Sequence, residues 1–250
     1  MDEMSREEVA SGWWKPFGVF GAVGLALAAA AAAWGGPHGV TDGLAWVLAG
    51  SWHGALVSAP VLGAAWGLGG WLKPVFRGAR EGAALRMGTG LGVLLVVWFV
   101  LGTIGLLSSF AAWGVVGLAV TRLVVDVIET RGRLGRVPRR PAGWAWAGLV
   151  GFGVLFVAAS SPVGALWRSE YGAYDAMSYH LPLAQGWIAA GRVWPVEYSV
   201  YSYLPLAVES LFAWAGVLTG ASGERGLLAD GGWRLVGMQH LHAWIAVVGV

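Results

Sequence analysis

Four stretches of this chain contain no Asp, Glu, Lys or Arg: Phe17 to Trp34, Leu44 to Leu72, Met87 to Leu107 and Ala142 to Ser160. This pattern limits the fold more than any other feature. About 20 apolar residues in helical geometry cross the ~30 Å hydrocarbon core of a bilayer. In lipid every backbone N–H and C=O must be paired inside the protein, so only helices and closed barrels span it. The apolar residues here run on without alternating, which excludes a barrel. Charged residues make up 12% of the chain and hydrophobic ones 57%, against about 25% charged in an ordinary soluble domain. The expected fold is all-α: a polytopic transmembrane helical bundle of about seven spans, with a short surface-lying helix in an outer loop.

The expected spans are residues 17–34, 44–72, 87–107, 110–128, 142–160 and 204–220, with a seventh run starting near Leu235. The 44–72 window exceeds one upright crossing and is expected to tilt, or to break near Pro60. Residues 1–16 form an N-terminal segment, 17–141 a four-span module, and 142–250 a second portion still apolar at Val250. The first apolar run is followed by no persuasive cleavage site and reads as an uncleaved span. Orientation follows from the basic residues. Lys73, Arg77, Arg80 and Arg86 follow the second span, and Arg131, Arg133, Arg136, Arg139 and Arg140 follow the fourth. The turns after the first and third spans carry none. Short basic loops stay in the cytoplasm, so the N-terminus is expected inside and the polar segment 161–203 outside. Trp13, Trp14, Trp71, Trp144 and Trp146 then fall at the inner interface, and Trp34, Trp113, Trp167 and Trp194 at the outer one, as an aromatic belt requires.

There are 41 glycines, some at small-xxx-small spacing: Gly50/Gly54, Gly63/Gly67 and Gly88/Gly92. In lipid such spacing lets helices approach closely; a glycine-rich composition produces it by chance as well. The net charge is only +2 and the basic residues form no helical stripe, which argues against a nucleic-acid partner. The absence of cysteine excludes disulfides, thiolate metal sites and cysteine nucleophiles.

Chemistry-bearing side chains gather in the outer segment, around Tyr174-Asp175-Ala176-Met177-Ser178-Tyr179-His180. Leu181 to Ala190 carries a helical pattern, with Pro182 in its first turn and Gly191 just past its end. The chain ahead of Pro182, His180 included, is expected to be extended. Leu181, Leu183, Trp187 and Ile188 are expected to dip into lipid while Gln185 and Arg192 face water. Asp175 is the first candidate. A carboxylate at the lipid–water boundary can act as a base toward a hydroxyl, hold a divalent cation against a phosphate, or simply cap a helix starting at Ala176. His180 can orient that carboxylate, bind phosphate or ligate a metal; a histidine in a wet aromatic loop is more often only hydrogen-bonded. Tyr174 and Tyr179 suit stacking on a sugar ring, and equally suit an interface. Glu209 lies inside the expected sixth span, where an ionisable group is a functional hypothesis by default or a paired structural acid. Arg168 and Arg192 can hold a phosphate or snorkel. Arg122 and Asp126, four apart on one helix, read as a local ion pair. His53, His240 and His242 show no ligand spacing and read as structural.

The segment Tyr174 to Ala184, then Trp187-Ile188, Gly191 and Tyr203-Leu204-Pro205-Leu206-Ala207-Val208-Glu209, resembles the GT-C superfamily of multi-span membrane glycosyltransferases, the class of the aminoarabinose transferases and protein O-mannosyltransferases. The likeness covers Tyr171 to Leu211. It implies an inverting hexosyl or pentosyl transferase that takes sugar from a polyprenyl-phosphate carrier to a lipid, glycan or protein acceptor on the outer face of a bacterial cytoplasmic membrane. By resemblance the loop acid maps onto Asp175 and the surface helix onto 181–190. Residues 142–250 would be part of the transferase core. Tyr174, Tyr179, His180, Glu209, Arg168 and Arg192 would bind substrate, with membrane lipids around them. No cofactor is implied beyond a divalent cation at Asp175. Two departures stand out: several spans precede the acidic loop, and members of the class carry more spans, so this chain is expected to be an N-terminal portion or truncated member. The alternatives are a transporter or channel subunit, which calls for opposed broken helices, and a non-catalytic membrane scaffold.

Overall fold

The computed structural model describes residues 39–72, 83–130, 155–160, 176–204 and 206–248. Among them every regular element is helical. Three long helices come first: α1 (Gly39–Trp71), α2 (Ala83–Thr103) and α3 (Ser109–Thr130). All three contain segments long and apolar enough to cross a membrane: Ala45–Trp71, Ala84–Thr103 and Ser109–Ile128. Only 33%, 22% and 17% of their most apolar windows is buried within the protein. Trp52, Val96, Phe99, Phe110 and Leu118 instead stand exposed. A monomer in water does not leave apolar faces of that extent uncovered; lipid is the solvent that accommodates them. The chain is a membrane protein.

These helices occupy the expected second, third and fourth spans. The second does not break: Pro60 lies within continuous helix. Its 27-residue apolar part is about 40 Å long at 1.5 Å per residue, so it crosses a hydrocarbon layer of ~30 Å only with tilt. The expected first span and residues 142–154 of the fifth lie outside the described residues; 155–160 is helical.

The second portion is built differently. A π-helical turn, Ala176–His180, runs directly into α4 (Leu181–Ala190). A 3₁₀ turn, Val200–Tyr203, then leads to α5 (Ala207–Leu218), and Asp230–Gly232 leads to α6 (Trp233–Val248). At 12 residues, α5 is about 18 Å long, shorter than an upright crossing needs. It is buried from Glu209 through Leu218, so it acts as a core post wrapped by α2, α3 and α4. The sixth expected span is thus a short interior helix.

The expected helix 181–190 is present with those bounds. Gly191 ends it in the left-handed region at φ 66°, where glycine pays no Cβ penalty. Its apolar face does not meet lipid as expected. Leu183, Ala184, Trp187 and Ile188 are buried in protein, and Ile188 sits where a side chain on Gly216 of α5 would be. Gln185 is half-buried, and its Oε1 accepts the Leu227 N–H at 2.7 Å. His180 is helical (φ −60°, ψ −52°), not extended. The steric rule before proline acts on the immediately preceding residue, which is Leu181, and here the π turn carries the helix through it.

Packing is set by missing side chains at a few crossings. Gly90 of α2 lies against the Ala65 carbonyl of α1, Gly67 of α1 against the Ala119 carbonyl of α3, and Gly54 of α1 beneath the His240 ring of α6. Gly63 is only loosely approached, and Gly88 and Gly92 meet nothing within 4 Å, so that last expected motif is not a packing face. Between α2 and α5, Trp98 and Trp214 stack at 5.4 Å, and the Trp214 indole donates to the Trp98 carbonyl at 2.8 Å.

The two ends of the bundle differ in chemistry. At one, Asp126 of α3 is shared by Arg122 of its own helix, at 2.7 Å, and by Arg86 of α2. Arg86 also donates to the Trp66 carbonyl and lies over the Trp66 ring, with its carbon 4.4 Å from the centroid. The expected local pair is therefore part of a three-helix tie. At the other end, the α2–α3 turn docks on the segment after α4. Leu107 N donates to Gly191 O at 3.1 Å and Val193 N to Gly102 O at 2.9 Å. Ser109 and Trp113 reach the last carbonyls of α5 at 2.6 and 3.2 Å.

Candidate functional site

A compact polar and aromatic cluster lies at the start of α4 and α5, a helix length from the contacts that their last residues make with the α2–α3 turn. Glu209 sits in the first turn of α5, where the partial positive charge of a helix N-terminus favours a carboxylate. Its side chain is 5% exposed. A buried carboxylate without a partner is very costly, and here the partner is the imidazole of His180, whose Nδ1–H donates to Glu209 Oε1. The two residues are 29 positions apart. The π turn places His180 directly ahead of α4, and the packing of α4 on α5 brings the ring to the acid. His180 is 31% exposed: the acid is inside, and the imidazole reaches outward from it. π-helical turns are rare and are found often at functional sites.

Tyrosines frame the pair. Tyr179 lies against the His180 ring, with centroids 4.1 Å apart, and stacks on Tyr201 at 4.2 Å with the rings 20° from parallel. Tyr201 belongs to the Val200–Tyr203 turn, which Ser202 holds through bonds with Val196 N, Val196 O and Ser199 O at 2.9, 3.2 and 2.7 Å. Tyr198 folds back so that its hydroxyl reaches the Pro182 carbonyl at 3.4 Å. The Trp187 indole donates to the Trp194 carbonyl at 2.7 Å, which closes the loop after α4 onto the helix.

Of the expected site residues, the structure brings Tyr179, His180 and Glu209 together. Arg192 is exposed and its guanidinium lies over the Trp194 ring at 5.1 Å, a cation–π contact at the surface. Tyr174, Asp175 and Arg168 lie outside the described residues; Asp175 directly precedes the π turn. No group of three or more His, Asp or Glu side chains among the described residues forms a metal site. Tyr201 is a member that sequence reasoning did not place. Its only signal was the Tyr198/Tyr201/Tyr203 spacing, which does not say which ring turns inward.

Of the expected structural histidines, His240 is fully buried. Its Nε2 pairs with Ser160 Oγ at 3.0 Å and its ring meets the edge of Phe156 at 4.4 Å. That pair joins α6 to residues 155–160 and is a packing contact.

The arrangement offers one chemistry clearly. A carboxylate that accepts from Nδ1–H leaves Nε2 as the free nitrogen of a neutral imidazole, suited to take a proton from a hydroxyl. The stacked tyrosines supply a flat apolar edge of the kind that suits a sugar ring. Comparison with family models, curated proteins and solved structures finds no match to this chain.

Proposed function

We propose that this protein is a membrane glycosyltransferase, or a portion of one, that moves a sugar from a polyprenyl-phosphate carrier to an acceptor at the outer face of a bacterial cytoplasmic membrane. The observation that carries this reading is the His180–Glu209 pair beside the Tyr179–Tyr201 stack, in a protein whose long helices are dressed for lipid. A polyprenyl-phosphate donor keeps its tail in hydrocarbon and its phosphate at the headgroup level, so the bond to be broken lies at the height of such a cluster. In this reading the cluster end faces out and the Arg86–Asp126–Arg122 end faces the cytoplasm, in line with basic loops staying inside. The remaining crossings belong to the proposal as well: the expected first and fifth spans and α6 join α1, α2 and α3, and α5 stands among them as an interior post, so the proposed bundle has six crossings in place of the expected seven.

Asp175, the acid that the resemblance assigns to the reacting centre, leads straight into the π turn that carries Tyr179 and His180. The tyrosines contribute the sugar platform. Arg192 is a surface cation near which a phosphate gathers, and Arg168, outside the described residues, is the second candidate for that role. The test is transfer of labelled sugar from a polyprenyl-phosphate donor by the chain in lipid nanodiscs. Replacing Asp175 with Asn is expected to lower the rate about 10²–10³-fold, the range for losing an electrostatic group at a reacting centre, with membrane insertion intact. Undiminished transfer by D175N removes that acid from the mechanism. Solute flux through proteoliposomes without any transfer makes the protein a transporter instead.

A further inference from the structure

The geometry points to a division of labour inside the cluster: His180 takes the proton from the acceptor hydroxyl at Nε2, and Glu209 is the positioning residue that makes it able to. This deepens the glycosyl-transfer reading and rests on it for the identity of the hydroxyl-bearing substrate.

Glu209 is nearly sealed from solvent while His180 is about one-third exposed, so the carboxylate can serve the ring but not a substrate. Its oxygen accepts from Nδ1; with that nitrogen committed as a donor, the neutral ring carries its lone pair on Nε2. A carboxylate behind an imidazole selects the tautomer, fixes the ring's direction and stabilises the imidazolium that forms as the proton arrives. Tyr179 holds the ring from a second side. The titratable groups packed around His180 among the described residues are Glu209 from α5, Tyr179 from its own turn, and Tyr201 through Tyr179. Glu209 is the one carboxylate among the three, and it is bonded at Nδ1. In the transfer step the acceptor O–H bond breaks and its proton moves to Nε2. The oxygen's electron pair forms the new bond to the sugar carbon as the bond from that carbon to the phosphate oxygen opens, and its electrons leave on the polyprenyl phosphate. The proton on Nε2 then passes to water.

The decisive experiment reads the ring directly and does not require turnover. Nitrogen-15 NMR of histidine-labelled full-length protein in nanodiscs, with H180Q used to assign one of the five histidines, reports the tautomer. The wild type is expected in the Nδ1–H form and E209Q in a mixture of forms. In the same samples diethyl pyrocarbonate is expected to acylate His180 severalfold faster in the wild type than in E209Q. In the transfer assay H180Q is expected to lose about 10²-fold or more, while E209Q loses less and shifts the rising limb of the pH–rate profile. E209D, which keeps a carboxylate, is expected to restore part of the rate and the Nδ1–H form; it also stands in for E209Q should that variant lose its helical spectrum. A wild-type ring without the Nδ1–H form, or a tautomer and acylation rate unmoved by E209Q, overturns the assignment whatever the transfer assay shows. An Nδ1–H ring that depends on Glu209, together with no transfer from any polyprenyl-phosphate sugar, upholds the positioning role and overturns the transferase reading alone.

Discussion

At the scale of single residues, what matters most in this protein is where side chains are missing. Helices in lipid gain nothing from hiding oil from water, so close backbone approach and dispersion contacts decide their packing. Gly90 illustrates this, because the Ala65 carbonyl occupies the space its Cβ would need. Gly92, two residues on, faces open space. Gly90→Val is therefore expected to separate α1 from α2 and to cost at least the 1–3 kcal/mol or so typical of overpacking. Gly92→Val is expected to leave stability within about 0.5 kcal/mol. Thermal unfolding of both variants in the same detergent checks the contrast, and equal melting curves would contradict it. Glu209 shows the opposite device, a side chain too costly to bury by itself that the fold nevertheless buries. A carboxylate 5% exposed is retained because His180 answers it.

At the scale of elements, two devices join helices that sequence neighbours would not. The first is Asp126, which holds Arg122 on α3 and Arg86 on α2 together. Removing one partner of a largely buried ion pair leaves an uncompensated charge. Asp126→Ala strands two guanidinium groups at once and is expected to cost about 2–4 kcal/mol, more than Arg122→Ala, which leaves the Arg86–Asp126 bond between helices in place. Denaturant titration of the two variants measures the order, and a larger loss for R122A refutes the shared tie. The second device is the packing of α4 on α5, which carries His180 to Glu209. Trp187 is its anchor, 2% exposed and bonded to the Trp194 carbonyl. Trp187→Ala is expected to destabilise by about 3–5 kcal/mol through loss of burial and the cavity left behind. It is also expected to release the Nδ1–H form of His180, although the Trp187 indole is bonded to the Trp194 carbonyl and not to that ring. A destabilised variant with an unchanged histidine signal would show that α4 does not position the ring.

At the scale of the whole molecule, the claim to test is polarity across the bilayer. The α2–α3 turn is docked on the segment after α4 and on the last turn of α5, Arg86 and Asp126 lie at the far ends of α2 and α3, and the proposed orientation puts the α2–α3 turn and the Val200–Tyr203 turn on the outer side. The chain contains no cysteine, so single cysteines can be introduced without background. Cysteines at Ile104 and Tyr203, both exposed, are expected to react from outside intact cells with an impermeant maleimide. One at Leu85, on the Arg86 end, is expected to react only after the membrane is opened. Labelling of Ile104 and Tyr203 from opposite sides would break the architecture, and labelling of both only from within would invert the proposed orientation.

The apolar runs by themselves determined the solvent, the helical class and the positions of α1, α2 and, despite Arg122 and Asp126, α3, because a bilayer permits few solutions to the backbone's hydrogen-bonding needs. Local chemistry was enough to mark Leu181 to Ala190, with Pro182 at its start and Gly191 at its end. The sequence also singled out His180 and Glu209 as anomalies for their setting. It did not reveal that they pair, since 29 residues of chain separate them and the contact exists only because α4 lies on α5. For the same reason the apolar face of α4 read as lipid-facing: periodicity reports that a face is apolar and is silent on whether lipid or protein covers it. Hydropathy likewise could not distinguish a bilayer crossing from the short buried post α5, because the interior of the protein and the interior of the membrane select the same side chains. Tertiary packing alone decided those points, and with them the cluster where the candidate chemistry sits.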